Sequence, residues 1–339
     1  MIETFTGETA DEVWQMAAER FHSRDRVRLQ ESRAGDTLEI LHAGFSISDP
    51  TQRWVLSRFP GISPGFAIAE IVWIVRGLQE ADFLNFWNPQ LPEYAGDVEN
   101  YHGAYGYRIR RQFGVDQLDR AYKALKHNPE NRQVVLQIYD PREDMPNEDG
   151  SPTAEDVPCN VSANLKVRDG SLEWTQILRS NDLFLGVPYN FVQFTHIQEI
   201  LAGWLDLEVG SYNHLSDSLH VYTRNLDSVG QSSPIENPAP NTDSLRFERK
   251  ESEMYFKGLE RRIKTFIREG LSPSKLEETA SWPDAPESIQ NLLSLLGAEA
   301  ARRHEEYHLI DPIMSKCSNP ALNRLWDQWQ ARFESRTAA

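Results

Sequence analysis

Cys159 is one of only two cysteines in this 339-residue chain, and it directly follows a proline in the stretch DVPCNVSANLKV, residues 156–167. A cysteine held at the edge of a rigid sheet can present its thiol to a pocket and act as a nucleophile. A free cysteine is otherwise most often a small buried apolar residue. The segments around Cys159 must therefore decide between these two interpretations.

A strand is predicted directly after Cys159, because apolar and polar residues alternate strictly from 160 to 168. This alternation places Val161, Ala163, Leu165 and Val167 on one face. The dipeptide at 169–170, Asp-Gly, predicts a hairpin turn, and SLEWTQIL reads as the returning strand.

Three other segments carry polar side chains of the kinds used in catalysis. Glu70 stands within the apolar run AIAEIVWIV, where burial should raise its pKa and suit it to general acid–base work. The segment RSNDLFLGVPYN begins at Arg179, and SLHVY ends at Tyr222. Each is weak evidence alone, but the last two segments follow Cys159 in a definite order.

The order and spacing of these motifs resemble the thymidylate synthase superfamily. That family carries a Pro-Cys nucleophile, an Arg-Ser-x-Asp…Leu-Gly-x-Pro-x-Asn segment and a His-x-Tyr, and the resemblance runs from about Arg33 to Tyr222. It implies an α+β fold, a large mixed β-sheet with packed helices. It also implies a pyrimidine nucleoside 5′-monophosphate as substrate, 5,10-methylenetetrahydrofolate as co-substrate, no metal, and a homodimer that shares arginines across its interface.

The chemistry of this family explains the residue types. Carbon 5 of a pyrimidine is a poor nucleophile, and addition of a thiolate to carbon 6 turns the ring into an enolate-like species. A thiolate requires nearby positive charge, which lowers the pKa of the cysteine. By resemblance, Arg179 supplies this charge to Cys159 and also binds phosphate.

The resemblance assigns the remaining phosphate contacts to one serine, one arginine of the same subunit and one arginine of the partner subunit. Ser180 matches the phosphate-binding serine, and Arg33 in SRAG matches the arginine of an N-terminal loop. Arg132 in NPENRQ matches an arginine donated by the partner subunit, and Gln133 stands where the family has a second arginine. Arginine suits phosphate because its donors form a planar fork.

Other matches concern the base, the sugar, the water network and the folate. By resemblance, Asn190 reads the pyrimidine edge, and His220 and Tyr222 bind the sugar hydroxyl. Glu70 relays protons, and Tyr105 belongs to the water network that removes the carbon 5 proton. Two further residues match positions that contact the folate: Trp87 and Asp182.

Departures from the family favour a hydroxymethyl product over a methyl product. Asn160 replaces the histidine that normally follows the cysteine, and the chain ends in the charged segment QARFESRTAA instead of an apolar residue that closes the site. A wetter site lets water attack the intermediate. Thymidylate synthase activity is the alternative, and the base is open because Asn190 favours uracil only mildly over cytosine.

Two other functional classes fit the sequence less well. HEEYH, residues 304–308, fits the His-Glu-x-x-His zinc pattern and would place His304 and His308 one helical turn apart, as in a zinc hydrolase. Charged neighbours and the lack of an evident third ligand argue against that reading. A regulator that binds nucleotides without catalysis is disfavoured by Cys159, Glu70 and Asn190 together.

Composition excludes other classes of protein. With 35 basic and 51 acidic residues the net charge is −16, which argues against binding to nucleic acid or to a membrane surface. The two distant cysteines suggest a reducing cytoplasm. No apolar run has membrane-spanning length, and the acidic N-terminus is unlike a signal peptide.

The elements that would position these residues can be read from periodicity and capping signals. Thr9 and Glu12 form a capping-box pattern at the start of a helix. DTLEILHAGFSI and QVVLQIYDP read as strands, GFAIAEIVWIVRGL and GVDQLDRAYKALKH as helices, and FVQFTHIQEILAGWLDLEVG as a long helix closed by a turn. We expect an α+β catalytic domain over residues 1–240 and a helical C-terminal extension over 241–339.

Overall fold

The fold is described from a computed structural model, which covers residues 2–32, 34–232 and 239–337, with side chains up to Phe333. Its described residues form an α+β structure with one large mixed sheet, which confirms the predicted fold class. The strands are β1 Glu3–Gly7, β2 Arg28–Gln30, β3 Thr37–Ile47, β4 Val135–Gln137, β5 Asn160–Arg168, β6 Ser171–Leu178, β7 Asn181–Asp182 and β8 Glu208–Tyr222.

The sheet has the strand order β1-β3-β8-β6-β5-β4, with β2 paired to β3 and β7 paired to β8. The β1–β3, β6–β8 and β7–β8 pairs are parallel, and the others are antiparallel. The 15-residue strand β8 lies in the middle and was not predicted. Because β8 carries SLHVY and pairs with β7, it brings the segments RSNDLFLGVPYN and SLHVY together.

The helices cover one face of this sheet and form the C-terminal part of the chain. They are α1 Ala10–His22, α2 Pro64–Arg76, α3 Asp82–Asn85, α4 Leu91–Ala95, α5 Tyr105–Tyr107, α6 Gln117–His127, α7 Pro141–Asp144, α8 Val187–Leu205, α9 Leu226–Gln231, α10 Arg249–Phe266, α11 Pro273–Thr279, α12 Glu287–Arg303, α13 Ile310–Met314 and α14 Pro320–Thr337. A π-helical turn, Arg108–Gln112, continues α5.

Local signals account for the principal helices. The predicted capping box of α1 is present, since Thr9 accepts from the Glu12 amide and Glu12 reaches back to the Thr9 amide. α2 begins after Ser63, whose hydroxyl caps the Phe66 amide, and ends at Gly77 in the left-handed conformation. Nearly all residues of α2 and α8 are buried, so both helices are held by packing on every side.

The predicted hairpin is present, but the strict alternation of its first strand is wrong at Val161. Asp169 and Gly170 form the turn with positive φ angles of 49° and 77°. The register shifts between Asn160 and Ser162, so Val161 is the extra residue of a β-bulge. The bulge turns Asn160, rather than Val161, into the buried interior.

The opposite face of the sheet is largely free of helices. One row of paired residues crosses six strands on this face: Thr6, Ser46, Asn213, Thr175, Asn164 and Val135. Beside that row, Leu215 of β8 is 38% exposed, and Val135 is 46% exposed. This face is therefore a mixed polar and apolar surface that the described helices leave accessible.

The C-terminal helices predicted after residue 245 are present, and α10, α12 and α14 all contact α2. A buried carboxylate, Glu299 of α12, accepts from Arg302, from Arg303 and from the indole N–H of Trp329 at 2.7–2.8 Å. Arg303 also donates to the carbonyl of Trp87. The division into domains at residue 240 stays a prediction.

None of the helices within the described ranges combines the length and the apolar character needed to cross a lipid bilayer.

Candidate active site

Cys159 lies at the entrance of β5, as predicted, where the chain passes from a loop into the sheet. Its carbonyl accepts the Arg179 amide at 3.0 Å, which ties the start of β5 to the end of β6. The Cys159 side chain is half-buried and forms no disulfide. A reduced thiol is thus held at a fixed point of the sheet edge with partial access from outside.

The guanidinium of Arg179 packs against the turn that precedes the thiol. It donates to the carbonyls of Pro158 and Val157 at 3.0 and 2.9 Å. Burial raises the pKa of the Cys159 thiol above its ordinary value of 9.0, and the Arg179 charge offsets only part of that effect. The predicted lowering of the Cys159 pKa by Arg179 is therefore outweighed by burial, which is the larger contribution.

Tyr105 reaches the same place from α5. Burial raises the pKa of its hydroxyl, with further contributions from the nearby Cys159 and Glu70. Close packing of this segment on α2 depends on Gly106, since a Cβ atom there would lie 2.2 Å from the carbonyl oxygen of Ile74. The Tyr105 hydroxyl, the thiol and the Glu70 carboxylate are close enough to interact electrostatically and form one cluster.

Glu70 projects from the middle of α2, where the residue is half-buried and Oε2 of its carboxylate is buried. Burial raises the pKa of Glu70 to about 7, and the neighbouring Gln193 side chain lowers it. Atom Oε2 of Glu70 is buried without a hydrogen-bond partner among the described residues. A carboxyl group with this pKa can either donate or accept a proton near neutral pH.

Asn190 is joined to Glu70 through a residue that the sequence did not single out. Nδ2 of Asn190 donates to Oε1 of Gln193 at 2.9 Å, which leaves the Gln193 N–H groups for Glu70. The signal was available, because Gln193 lies three positions after Asn190 and so shares its face of α8. Gln193 fixes the orientation of the Asn190 amide.

Four of the residues predicted for phosphate, sugar and folate meet where β7 pairs with β8. Ser180 Oγ lies 3.4 Å from Nδ1 of His220, and the rings of His220 and Tyr222 are 5.5 Å apart, edge to face. Asp182 of β7 is the strand partner of His220 in β8. Oδ1 of Asp182 accepts the backbone N–H groups of Phe184 and Leu185 at 2.7 Å. Burial raises the pKa of Asp182, and His220 lowers it.

Three buried polar atoms of this region have no hydrogen-bond partner among the described residues. They are Oε2 of Glu70, Nδ2 of Asn160 and Oδ2 of Asp182. Asn160 is fixed by Gln176, which donates to its Oδ1 at 2.9 Å. Because buried polar atoms are normally hydrogen-bonded, such a set in one region indicates a site for water or a polar ligand.

Three predicted residues are not part of this cluster. Arg132 is exposed in the segment between α6 and β4, and Arg33 lies outside the described residues. Trp87 is 1% exposed, with its ring against Phe86 and Phe266, so protein encloses it instead of a binding surface. Its predicted folate contact, like the other ligand contacts, stays a prediction.

The predicted zinc geometry is wrong. α12 ends at Arg303, so His304 and His308 do not share a helix. Nε2 of His304 is bonded to the carbonyl of Phe266 at 2.7 Å, and Glu305 turns the chain with a positive φ of 62°. Across the described ranges, no set of three histidine, cysteine or acidic side chains is grouped to hold a metal ion.

Known proteins resemble this chain over the region that carries the cluster. A deoxyuridylate hydroxymethyltransferase of Bacillus phage SP01 is 36% identical over 203 residues, 57% of this chain and 51% of the relative. One of Pseudomonas phage M6 is 30% identical over 198 residues, 58% of this chain and 55% of the relative. A protein of Methanothermobacter thermautotrophicus, provisionally named a thymidylate synthase, is 34% identical over 147 residues, 42% of this chain and 63% of the relative.

The matches to the two phage relatives cover only part of each protein. The chain spans about half the length of the two phage relatives. The sequence model of the thymidylate synthase family matches residues 56–264, more than half of the chain, and includes Glu70, Cys159 and Tyr222. This chain belongs to the thymidylate synthase family.

Proposed function

We propose that this protein transfers a one-carbon unit from 5,10-methylenetetrahydrofolate to carbon 5 of a pyrimidine nucleoside 5′-monophosphate and releases a hydroxymethylated nucleotide. The observation that carries the proposal is the cluster of Cys159, Tyr105 and Glu70 beside buried polar atoms that lack partners. Membership of the family supplies the reaction class. The names of the phage relatives favour a hydroxymethyl product and deoxyuridylate as the first substrate to test.

Each residue of the cluster has a role in this reaction. The sulfur of Cys159 bonds to carbon 6, its proton passes to a base of the site, and the ring electron pair becomes available at carbon 5. The folate supplies a carbon at the oxidation level of formaldehyde. Carbon 5 bonds to this carbon, and Tyr105 and Glu70 hold the water network that takes the proton from carbon 5. Cleavage of the bond between the transferred carbon and the folate nitrogen then separates tetrahydrofolate from the nucleotide and leaves an exocyclic methylene group, with sulfur still bonded to carbon 6.

The final step distinguishes hydroxymethylation from methylation. The exocyclic methylene group on carbon 5 gains hydroxyl from water in the first reaction and hydride from tetrahydrofolate in the second. In both, the electron pair that returns to the ring restores the double bond between carbons 5 and 6 and expels the Cys159 thiolate. Glu70, with a pKa of about 7, is suited to take a proton from the attacking water. Asn160, which replaces the family's histidine, adds a polar atom without a partner to the same region.

The nucleotide would be recognised by its three parts. Arg179 and Ser180, with Arg33, bind phosphate, while His220 and Tyr222 bind the sugar. Asn190 offers one donor and one acceptor to the base, and its bond to Gln193 fixes which side of the amide is the donor. The folate would lie against Asp182, whose Oδ2 is an unused acceptor.

We further propose a cytoplasmic homodimer. The accessible face of the sheet, with Leu215 and Val135 exposed, is suited to bury apolar area against a second copy. Arg132 is exposed and would reach the partner's phosphate site. Two free thiols, Cys159 and Cys317, agree with a reducing compartment.

The test of this function offers dUMP, dCMP, UMP and CMP separately with the folate and analyses the products by mass. We expect dUMP to gain CH2O, with tetrahydrofolate released. A gain of CH2 with dihydrofolate released would instead identify a thymidylate synthase. No product from any of the four nucleotides would refute both activities.

Replacement of Asn190 should change the preferred base. We expect Asn190→Asp to raise the ratio of kcat/KM for dCMP over dUMP by about 10- to 100-fold, because a protonated carboxyl group matches the cytosine edge. Asn147→Asp, an exposed change in the loop before Cys159, is the matched control and should leave the ratio unchanged. Competition between the two nucleotides measures the ratio directly, and an unaltered ratio in Asn190→Asp would remove Asn190 from base recognition.

A further inference from the structure

Asp156, three residues before Cys159, joins the two segments that carry the thiol and Tyr105. Its Oδ2 accepts the backbone N–H of Gly103 at 2.9 Å. Gly103 lies two residues before Tyr105. One hydrogen bond therefore ties the turn before the nucleophile to the start of α5.

The contact at Gly103 is so close that only glycine fits. A Cβ atom there would lie 2.7 Å from Oδ2 of Asp156 and 2.8 Å from its carbonyl oxygen. Both distances are below normal van der Waals contact, and one of the two atoms belongs to backbone. The sequence at position 103 is thus fitted to the carboxylate of Asp156.

A buried ionic network next to Gly103 holds this segment in place. Arg108 forms two bonds with Asp144 at 2.7 and 3.0 Å, and both side chains are almost fully buried. His102 Nε2 lies 2.8 Å from Oδ1 of Asp144, and the His102 carbonyl accepts from Arg108 at 2.9 Å. The partner that Asp156 binds is therefore rigid.

The charges around Asp156 show how it acts on the site. Burial raises the pKa of Asp156 to about 6, His102 and Arg108 lower it, and Asp144 raises it. The carboxylate of Asp156 in turn raises the pKa of four groups: Cys159, Tyr105, Glu70 and Tyr101. Cys159 is also faced by Arg179, which lowers its pKa, and by Asp182, which raises it.

We propose that Asp156 is a positioning residue of this active site, which fixes the Tyr105 segment against the Cys159 turn and controls the reactivity of the thiol. Its place in catalysis rests on the function proposed above. The effect of Asp156 on the thiol does not depend on that function. Neither Asp156 nor its partner Gly103 was identified from the sequence, because a single carboxylate in a loop has no periodicity to reveal it.

The test measures the rate of Cys159 alkylation by iodoacetamide against pH, without nucleotide or folate, with each cysteine peptide followed by mass spectrometry. In Asp156→Asn the midpoint for Cys159 should move down by about half to one pH unit, because a like charge that opposes thiolate formation is gone. Asp149→Asn, an exposed change in the same loop, is the matched control and should keep the original midpoint. A midpoint in Asp156→Asn equal to that of the control would overturn the proposal.

Gly103→Ala separates position from charge, because it keeps the carboxylate but breaks the close contact. We expect kcat to fall at least about tenfold while KM for the nucleotide changes little. An unchanged kcat would overturn the positioning role. If alkylation shifts as expected but no nucleotide yields product, the proposed function fails and the action of Asp156 on the thiol stands.

Discussion

Cys159→Ala is expected to abolish formation of hydroxymethylated nucleotide, with kcat reduced by at least about 1,000-fold. The reason is that no other described group of the cluster can add to carbon 6 and make carbon 5 nucleophilic. Alanine is smaller than cysteine and leaves the backbone bond from Arg179 intact. Nucleotide affinity should therefore stay within about threefold of the original value in a calorimetric titration.

A direct assay for the thiol adduct is exchange of the carbon 5 hydrogen in D2O without folate, followed by NMR. The unmodified protein should exchange this hydrogen, because the adduct places a carbanion-like pair at carbon 5, and Cys159→Ala should not. Cys317→Ala is the matched control, since Cys317 is buried in the C-terminal part and should not affect exchange. Equal turnover in Cys159→Ala and Cys317→Ala would contradict covalent catalysis.

Glu70→Gln should lower kcat at least about 100-fold while making the fold more stable at pH 8. The carboxyl group has a pKa of about 7 in the folded protein, against an ordinary value of 4.5. Between these two values the folded state holds a proton that the unfolded state has lost, so stability falls as pH rises through that range. An amide carries no charge, and we expect a gain in unfolding free energy of about 1–3 kcal/mol at pH 8.

The stability difference should itself depend on pH, which identifies its cause. Denaturant unfolding of the two proteins should give converging free energies near pH 4, where Glu70 is protonated in both states. Glu251→Gln, an exposed change on α10, is the control and should alter neither activity nor stability. A Glu70→Gln protein with the original kcat would exclude Glu70 from proton transfer.

Much of the scaffold follows from local signals in the sequence. The Thr9 capping box, the buried helix that ends at Gly77 and the Asp169-Gly170 hairpin are all confirmed, because propensity, capping and burial agree at these places. The raised pKa of Glu70 is confirmed for the same reason, since an apolar helix predicts desolvation. The ligand contacts of the site stay predictions.

Other features depend on contacts between distant segments and have no local signal. β8 alternates between buried and accessible positions, but its buried positions include Gly210, His214 and Ser216 and an accessible one is Leu215, so the residue types do not reveal the alternation. The bulge at Val161 depends on pairing with β6, and the end of α12 at Arg303 removes the helix that HEEYH requires. Asp156 acquires its role only when the chain brings Gly103 to it.

The attachment of α10, α12 and α14 to α2 limits which parts of this protein can move. Glu299 binds α14 through Trp329, and Arg303 of the same helix binds the Trp87 segment, so α2 is restrained on the side of the C-terminal helices. Gly65 of α2 lies against Glu299, where an added Cβ would be 2.8 Å from its Cγ, which leaves no space for sliding. Glu70, in the middle of α2, therefore keeps a fixed position relative to the C-terminal helices, and we expect any adjustment to a bound ligand to occur in segments outside α2.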